Sequence, residues 1–320
     1  MFPVLFKIGF FELRVYSLMY ILGLVMTIFF VSRRSRKFGI PKEQMENIII
    51  FTFLGGLIGA RAYYVILNWS GYFSSNPMEI FAIWHGGLAI HGGLIGGLVT
   101  VFIYTRYKSI SPFAIGDLTL PFVLLSQGLG RFGNFANGEV HGVPVFTPFS
   151  IIFDLKKAHF GQFWHTVLDK FNVHNDPVSL TNFYNMLKAK GELAVTYAGK
   201  EYILRDYVPW GISFNAKYMP PAYREFGSIP LHPTFFYESI LNFLFGAFLV
   251  WLWRKDEQIG LGFISGMYFI FYAVIRSFVT FFRAEDLMVG SLRAPHLASI
   301  GLVIVGSILI YISRRKRAAA

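Results

Sequence analysis

The chain has no cysteine among its 320 residues and few charged side chains. Without cysteine it can form neither a disulfide bond nor a thiolate metal site, and it has no thiol of its own to use as a nucleophile. Only 15% of the residues are Asp, Glu, Lys or Arg, whereas soluble domains average about 25%. Because 54% of the residues are hydrophobic, we expect the chain to reside in a lipid bilayer.

Long apolar runs predict an all-α integral membrane protein with seven transmembrane helices. A helix needs about 20 mostly apolar residues to cross the hydrocarbon layer. No small-residue cleavage site follows the first run, so we expect this run to be retained as a span. The predicted spans are residues 15–31, 48–69, 86–107, 112–129, 234–253, 260–282 and 295–312.

The net charge of +11 arises largely from basic residues at the ends of the apolar runs. Cytoplasmic loops are enriched in Lys and Arg close to span ends. Four basic clusters fall on one side of the predicted membrane, which places the N-terminus outside and the C-terminus in the cytoplasm. This distribution argues against nucleic-acid binding. The clusters are Arg33, Arg34, Arg36, Lys37 and Lys42; Arg106 and Lys108; Arg254 and Lys255; and Arg314, Arg315, Lys316 and Arg317.

One segment, residues 143–231, has the polar composition of a soluble domain. We expect it to form an extracytoplasmic head of mixed structure, inserted between helices four and five. The predicted domains are therefore residues 1–142 with the first four helices and the polar loop after them, the head at 143–231, and residues 232–320 with the last three helices and a basic cytoplasmic tail. The sequence has no internal repeat of the kind found in many transporters.

Ionisable side chains inside the predicted spans are the first candidates for function, because a charge in the bilayer costs about 2.5 kcal/mol or more. Arg61 and Glu238 are each open to interpretation as substrate contacts or as members of structural ion pairs, and Asp117 is interpreted as structural. Tyr272 and Arg276 lie four residues apart and so share a helix face. Arg276 either contacts a substrate or pairs with a buried carboxylate. The histidines lack the spacing of a zinc site, so we expect no metal and no cofactor.

A glycine-rich run at residues 91–97 begins with His91. The pairs Gly92/Gly96 and Gly93/Gly97 have the spacing of closely packed membrane helices. An imidazole titrates near neutrality and can accept a proton. We therefore interpret the glycines as packing residues and His91 as a catalytic or substrate-contacting residue.

The densest group of polar residues lies between positions 128 and 142, after the predicted fourth span. Arg131 stands between glycines, and its guanidinium can present several donors to a phosphate. Neighbouring backbone N–H groups can form an anion-binding nest, while Asn134, Asn137 and Glu139 can supply orienting hydrogen bonds. So many donors favour an anion site over a plain polar turn.

These motifs resemble those of the prolipoprotein diacylglyceryl transferase family, an enzyme family of the bacterial cytoplasmic membrane. The resemblance implies transfer of the diacylglyceryl group of phosphatidylglycerol to the lipobox cysteine thiol of a preprolipoprotein signal peptide, with release of glycerol phosphate. Most of residues 143–231 lie outside the resemblance. It rests on Tyr16-Ser-Leu-Met-Tyr20, Gly59-Ala-Arg61-Ala-Tyr-Tyr-Val65, His91-Gly-Gly-Leu-Ile-Gly96, Gly130-Arg131-Phe-Gly-Asn134-Phe-Ala-Asn137-Gly-Glu139, His232-Pro-Thr-Phe-Phe-Tyr237-Glu238 and the series Tyr272, Arg276, Phe281, Phe282, Arg283.

The resemblance implies that His91 activates the incoming thiol and that Arg131 and Arg276 hold the lipid phosphate, with Tyr272 beside them as the fourth catalytic candidate. A thiol with a pKa of about 8.5 needs a base or a cationic field to react as thiolate. A departing phosphate ester needs preorganised positive charge. The candidate substrate contacts are Tyr16, Arg61, Gly92, Asn134, Asn137, Glu139, Gly142, Glu238 and Arg283.

Two other classes of function stay open on the sequence alone. A membrane transporter or carrier for an anionic lipid or solute could use the same arginines to move its cargo. A purely structural or binding membrane protein would tolerate replacement of His91 and the arginines one at a time.

Overall fold

A computed structural model describes residues 4–8, 11–83, 86–139, 141–154, 159–215, 217, 219–255, 259–284, 288–290 and 292–318, which are mainly helical. The helices are α1 (Val15–Arg34), α2 (Lys42–Leu67), α3 (Ile90–Lys108), α4 (Pro112–Asn137), α5 (Phe149–Ile152), α6 (His159–Lys170), α7 (Pro177–Lys190), α8 (Pro221–Phe226), α9 (Thr234–Trp253), α10 (Phe263–Phe282) and α11 (Ala294–Ala318). The strands are β1 (Val4–Ile8), β2 (Phe11–Arg14), β3 (Leu193–Tyr197), β4 (Lys200–Leu204), β5 (Met288–Val289) and β6 (Leu292–Arg293).

Six of the described helices are long and apolar enough to cross a bilayer, as expected of an integral membrane protein: α1, α2, α4, α9, α10 and α11. The third predicted span forms the 19-residue helix α3, but the mean hydropathy of α3 is lower than that of these six helices. The glycines, His91 and the basic last turn of α3 lower its average.

Three antiparallel hairpins pair β1 with β2, β3 with β4 and β5 with β6. The first precedes α1 and was not foreseen from the sequence. Lys7 Nζ lies 2.6 Å from Glu12 Oε1 across this hairpin. The hydrogen bond and charge of Lys7 hold the pKa of the Glu12 carboxyl below its usual value.

Residues 24–120 form one of two compact units. In it, the backbones of α2 and α3 meet at glycines. A Cβ added at Gly96 would lie 3.0 Å from Gly59 Cα, so there is no room for a side chain at this contact. Tyr104 also donates to the Gln44 carbonyl at 3.1 Å. The packing interpretation of the glycine run is thus confirmed for Gly92 and Gly96.

Residues 1–23 and 121–320 form the second unit. There Phe135 of α4 stacks on Phe235 of α9 at 4.8 Å between ring centroids. A Cβ added at Gly266 of α10 would lie 2.6 Å from the Gly306 carbonyl of α11, so these helices also meet at glycines.

Within this unit, residues 143–231 contain short helices and the β3–β4 hairpin around an apolar core. Local sequence explains one of these helices: Asp176 caps α7 by accepting from the backbone N–H of Val178 and Ser179, both at 3.0 Å, and Pro177 occupies the first turn. The core also includes Phe282 at the end of α10.

The observed helix ends correct two local expectations. α4 continues past Pro121 to Asn137, so Arg131, Asn134 and Asn137 lie in its last two turns and not in a loop after it. α4 ends where Gly138 adopts a φ of 67°, which favours glycine. His91 is the second residue of α3 and does not lie one turn into a span.

Candidate active site

Arg131 is held at the end of α4 by two neighbours. Its Nη1 donates to Asn134 Oδ1 at 3.1 Å, and its Nη2 forms an ion pair with Glu238 Oε1 of α9. Asn134 can accept this hydrogen bond because it lies three residues after Arg131 in α4, and residues with this spacing are neighbours on the helix surface. The Glu238 side chain is 1% exposed and that of Arg131 is 23% exposed, so the cation is more accessible than its partner.

The α4–α9 contact that carries the pair is tight. Ser239 Oγ donates to the Gly128 carbonyl at 2.9 Å, next to Glu238. Arg131 Nε and Glu238 Oε2 are buried and have no hydrogen-bond partner among the described residues. The pair therefore retains unused hydrogen-bonding capacity on both sides.

Tyr16 lies against the same turn of α4. A Cβ added at Gly133 would lie 2.9 Å from Tyr16 Cα, so α1 approaches α4 at a position without a side chain. Tyr20, one turn further along α1, donates to the Tyr16 hydroxyl at 3.2 Å. The Tyr20 hydroxyl also interacts electrostatically with Arg131, which brings Tyr16 and Tyr20 into the neighbourhood of the guanidinium.

Asn137 and Glu139 stand at and beyond the end of α4. Asn137 is half-buried and Glu139 is exposed, and the Glu139 backbone N–H donates to the Asn134 carbonyl at 2.9 Å. Asp117, near the other end of α4, is 3% exposed.

Gly142 lies where the chain leaves the Arg131 region and meets α9 and α10. Its N–H donates to the His232 carbonyl at 2.9 Å, and it forms a β-bridge with Arg283. A Cβ there would lie 2.7 Å from the carbonyl oxygens of both His232 and Phe282. This gives Gly142 a packing reason to be glycine, apart from any substrate contact.

His232 joins a hydrogen-bond chain that the sequence shortlist missed. Trp210 Nε1 donates to the Tyr237 hydroxyl at 2.7 Å, which lies 3.1 Å from His232 Nδ1. Burial lowers the pKa of His232 to about 4, so the ring is neutral at pH 7. The motif beginning at His232 was a signal for it, but a histidine just before a span is easily passed over.

Asn242 is a second residue that the shortlist missed. It lies one turn after Glu238 on α9 and is fully buried. Neither its Nδ2 nor its Oδ1 has a hydrogen-bond partner among the described residues. A shortlist that included amides within apolar runs, and not only ionisable groups, would have found it.

Tyr272 and Arg276 lie on α10 and are both half-buried, as their spacing predicts. The Tyr272 ring stacks on Tyr268 at 6.2 Å between centroids, and Gln127 Nε2 of α4 donates to the Tyr268 hydroxyl at 3.4 Å. Tyr272 is thus linked to α4 through one intermediate ring. Arg283 follows the last residue of α10.

His91 and Gly92 open α3. The His91 side chain is exposed, and its ring centroid lies 6.2 Å from that of Tyr63 on α2. Gly92 is buried, and a Cβ there would lie 2.9 Å from Gly59 C. Contact with α2 therefore fixes the backbone at His91, while the imidazole side chain stays exposed beside Tyr63.

Arg61 differs from Arg131 in how its donors are used. A guanidinium has five N–H groups, and those of Arg61 donate to five backbone carbonyls of the segment that leads to α3. The bonds are Nε to Ile80 (2.9 Å), Nη1 to Gly86 (2.6 Å) and Gly87 (3.0 Å), and Nη2 to Ala82 (3.3 Å) and Glu79. Arg61 is 7% exposed. No N–H of this guanidinium remains for a phosphate.

The described residues contain no group of three or more His, Asp and Glu side chains able to hold a metal ion.

Comparison with known proteins identifies the family. A family model described as prolipoprotein diacylglyceryl transferase matches residues 3–312. Three relatives are each named phosphatidylglycerol–prolipoprotein diacylglyceryl transferase. The one from Fusobacterium nucleatum is 38% identical over 304 residues, which is 95% of both chains. The one from Staphylococcus haemolyticus is 31% identical, covering 98% of this chain and 89% of its own length, and the one from Staphylococcus xylosus is 33% identical, covering 98% and 90%.

The match runs through residues 143–231, so the expectation that this segment lies largely outside the resemblance is wrong. With the family model and all three relatives in agreement over nearly its full length, the chain belongs to the prolipoprotein diacylglyceryl transferase family.

Proposed function

We propose that this chain transfers the diacylglyceryl group of phosphatidylglycerol to the lipobox cysteine thiol of a preprolipoprotein signal peptide. The relatives carry the name of this reaction. A transporter is less well supported, because the three relatives described above are all named as transferases.

The observation that supports the proposal best is the state of the Arg131 guanidinium. Arg131 uses one donor on Asn134 and one on Glu238, and its Nε is unpartnered among the described residues. Because the Arg131 side chain is 23% exposed, a phosphate can approach its accessible part while the contacts with Asn134 and Glu238 keep the guanidinium in position. Arg61, whose five donors are all in use, has no such capacity.

In the proposed reaction the cysteine thiol gives its proton to His91. The sulfur then attacks the carbon of the diacylglyceryl group that is joined through oxygen to the phosphate. A C–S bond forms as the C–O bond to the phosphate breaks, and glycerol phosphate leaves with the electron pair. Arg131 and Arg276 stabilise the charge that develops on the leaving phosphate. We propose that Tyr16, Tyr272, Asn134 and Glu238 orient these groups. Asn137, Glu139, Gly142, Gly92 and Arg283 are each proposed to contact substrate.

We further propose that α3 is a seventh span. Nineteen residues give a helix about 28 Å long, close to the thickness of the hydrocarbon layer. Large apolar side chains of α3 are exposed, as expected for contact with lipid: Leu94, Ile95, Leu98 and Phe102. With seven spans the basic clusters lie on the cytoplasmic side of the bacterial inner membrane, and the N-terminus and residues 143–231 lie outside.

The proposed function is tested with the purified full-length protein, phosphatidylglycerol and a lipobox peptide. We expect the parent to form a diacylglyceryl thioether and His91→Gln to lose it by about 10²-fold or more, with an unchanged unfolding temperature because the imidazole is exposed. Thioether formation is measured by mass spectrometry. An inactive, well-folded parent protein would contradict the function, and a fully active His91→Gln variant would contradict the role of His91.

For Arg61 we propose a positioning role in place of the substrate contact expected from the sequence. Its bonds to Gly86 and Gly87 fix the chain where it approaches α3, and the Ala89 N–H donates to the Ala60 carbonyl at 3.0 Å. Gly87 has a φ of 75°, and a Cβ there would lie 2.8 Å from Arg61 Nη1. Arg61 would therefore act by placing His91.

Arg61→Lys tests this role, because an ammonium has three donors and cannot replace a planar fork of five. We expect kcat to fall roughly 10-fold to 100-fold, with KM for phosphatidylglycerol nearly unchanged. Steady-state kinetics in lipid nanodiscs measures both. The matched control is Arg33→Lys, an exposed arginine of the same unit that donates to Phe29 O at 3.5 Å and lies over the Phe29 ring. A rise in KM at unchanged kcat would instead favour direct substrate contact.

A further inference from the structure

An exposed aromatic surface lies at one edge of the segment 143–231. Phe149, the first residue of α5, and Phe153, which directly follows α5, are 42% and 46% exposed and stack on each other at 6.3 Å between centroids. Tyr207 lies 5.7 Å from Phe149, and the exposed Arg205 guanidinium lies 5.5 Å from the Tyr207 ring. These four residues are called the α5 surface below. Large exposed apolar groups in a water-facing segment mark an interaction site.

The α5 surface lies against the end of a membrane-spanning helix. The Phe153 ring is 5.4 Å from Phe281 and 5.5 Å from Phe282, the last two residues of α10. Because α10 is one of the candidate spans, its last turn marks the depth at which the chain leaves the hydrocarbon layer. Phe153 therefore lies near the boundary between hydrocarbon and headgroups.

A second contact gives the same depth independently. Trp210, which is 57% exposed, donates to the hydroxyl of Tyr237 in the first turn of α9. The Tyr237 ring lies 5.4 Å from that of Phe282, so the start of α9 and the end of α10 are adjacent. An exposed tryptophan thus stands at the same level as the α5 surface.

The composition of these residues fits a lipid interface. Trp and Tyr concentrate where the bilayer meets water, and surfaces that lie in the interface combine apolar side chains with basic ones. Arg205 supplies a cation beside the aromatic side chains, which suits the phosphate of an anionic headgroup. The position of these residues at the ends of two spans favours the lipid surface itself as their partner.

We infer that the α5 surface, together with Trp210, rests in the headgroup layer of the membrane, where Arg205 contacts the phosphate of anionic phospholipids. The surface holds residues 143–231 against the bilayer. The inference depends on α9 and α10 crossing the membrane and is independent of the proposed transferase chemistry.

The absence of cysteine makes the inference directly testable, because a single introduced cysteine carries the only label. A nitroxide is attached to Phe149→Cys in the full-length protein, reconstituted in nanodiscs of phosphatidylcholine with phosphatidylglycerol. We expect power saturation to show greater collision with oxygen than with a water-soluble nickel chelate. The matched control is Lys200→Cys, an exposed polar position of the same segment, where the nickel chelate is expected to collide more.

Arg205→Gln in the Phe149→Cys background tests the headgroup contact. We expect the label to respond to the replacement of phosphatidylglycerol by phosphatidylcholine when Arg205 is present and to lose that response in the variant. Equal nickel accessibility at positions 149 and 200 would overturn the inference. Low collision with both oxygen and nickel at position 149 would also overturn it, because the surface would then be covered by protein. Transferase activity is not needed for any of these readouts.

Discussion

Replacing Arg131 by glutamine is expected to abolish thioether formation and to destabilise the protein. The variant loses the cation proposed to stabilise the leaving phosphate, and removal of one such group costs about 10² to 10³ in kcat. It also leaves the Glu238 carboxylate, 1% exposed, without its counter-ion. Removing one partner of a buried pair costs about 3–5 kcal/mol.

The double variant Arg131→Gln with Glu238→Gln separates these two effects. It removes both charges, so we expect much of the unfolding temperature to return while transfer activity stays absent. Activity is measured with phosphatidylglycerol and a lipobox peptide, and stability by thermal unfolding in the same detergent.

If Arg131→Gln were as stable as the parent, the ion pair with Glu238 would not contribute to the folded state. If the double variant regained activity along with stability, Arg131 would be structural and the proposed phosphate contact would be wrong. Arg131→Lys adds a third readout. Lysine keeps the charge but not the fork, so we expect stability closer to the parent with activity still well below it.

The second large effect is expected for Gly92→Ala. The added methyl group would lie against the Gly59 carbonyl and Tyr63 Cβ, closer than atoms can approach, so α2 and α3 must separate. Overpacking of this kind costs about 1–3 kcal/mol, and more where the obstacle is backbone. Because Gly92 follows His91, the same separation should lower kcat.

Gly130→Ala is the matched control, because a Cβ at Gly130 meets nothing within 4 Å. In a helix interior, Ala replaces Gly with a gain of about 0.5–1 kcal/mol, so this variant should unfold at the parent temperature or above. Thermal unfolding of both proteins in one detergent makes the comparison. A Gly92→Ala variant as stable as the parent would contradict the close approach of α2 and α3.

Much of the membrane architecture was predictable from the sequence. Apolar runs mark spans because a bilayer excludes unpaired polar backbone and favours long helices, and the six candidate spans follow six of the predicted runs. The bounds were less predictable. α4 continues through its glycines to Asn137, since in a packed helix the neighbouring helices stabilise residues that would end a helix in water.

The candidate site was predictable as a list of residues but not as a set of contacts. Arg131 and Glu238 are 107 positions apart, and no local pattern states that they pair. The N-terminal hairpin and the chain from Trp210 to His232 went unnoticed because neither has a strong local signal.

By itself the sequence determined that the chain is a membrane protein of this family, because hydropathy and the polar motifs are properties of neighbouring residues. Only the tertiary structure decided what each arginine is used for. In the sequence, Arg61 lies within a predicted span and Arg131 just after one, and neither position states which donors are in use. The carbonyls of Glu79, Ile80, Ala82, Gly86 and Gly87 use every donor of Arg61, whereas Arg131 has a donor without a partner among the described residues. That difference depends on which distant backbone and side-chain atoms the fold brings within hydrogen-bonding distance.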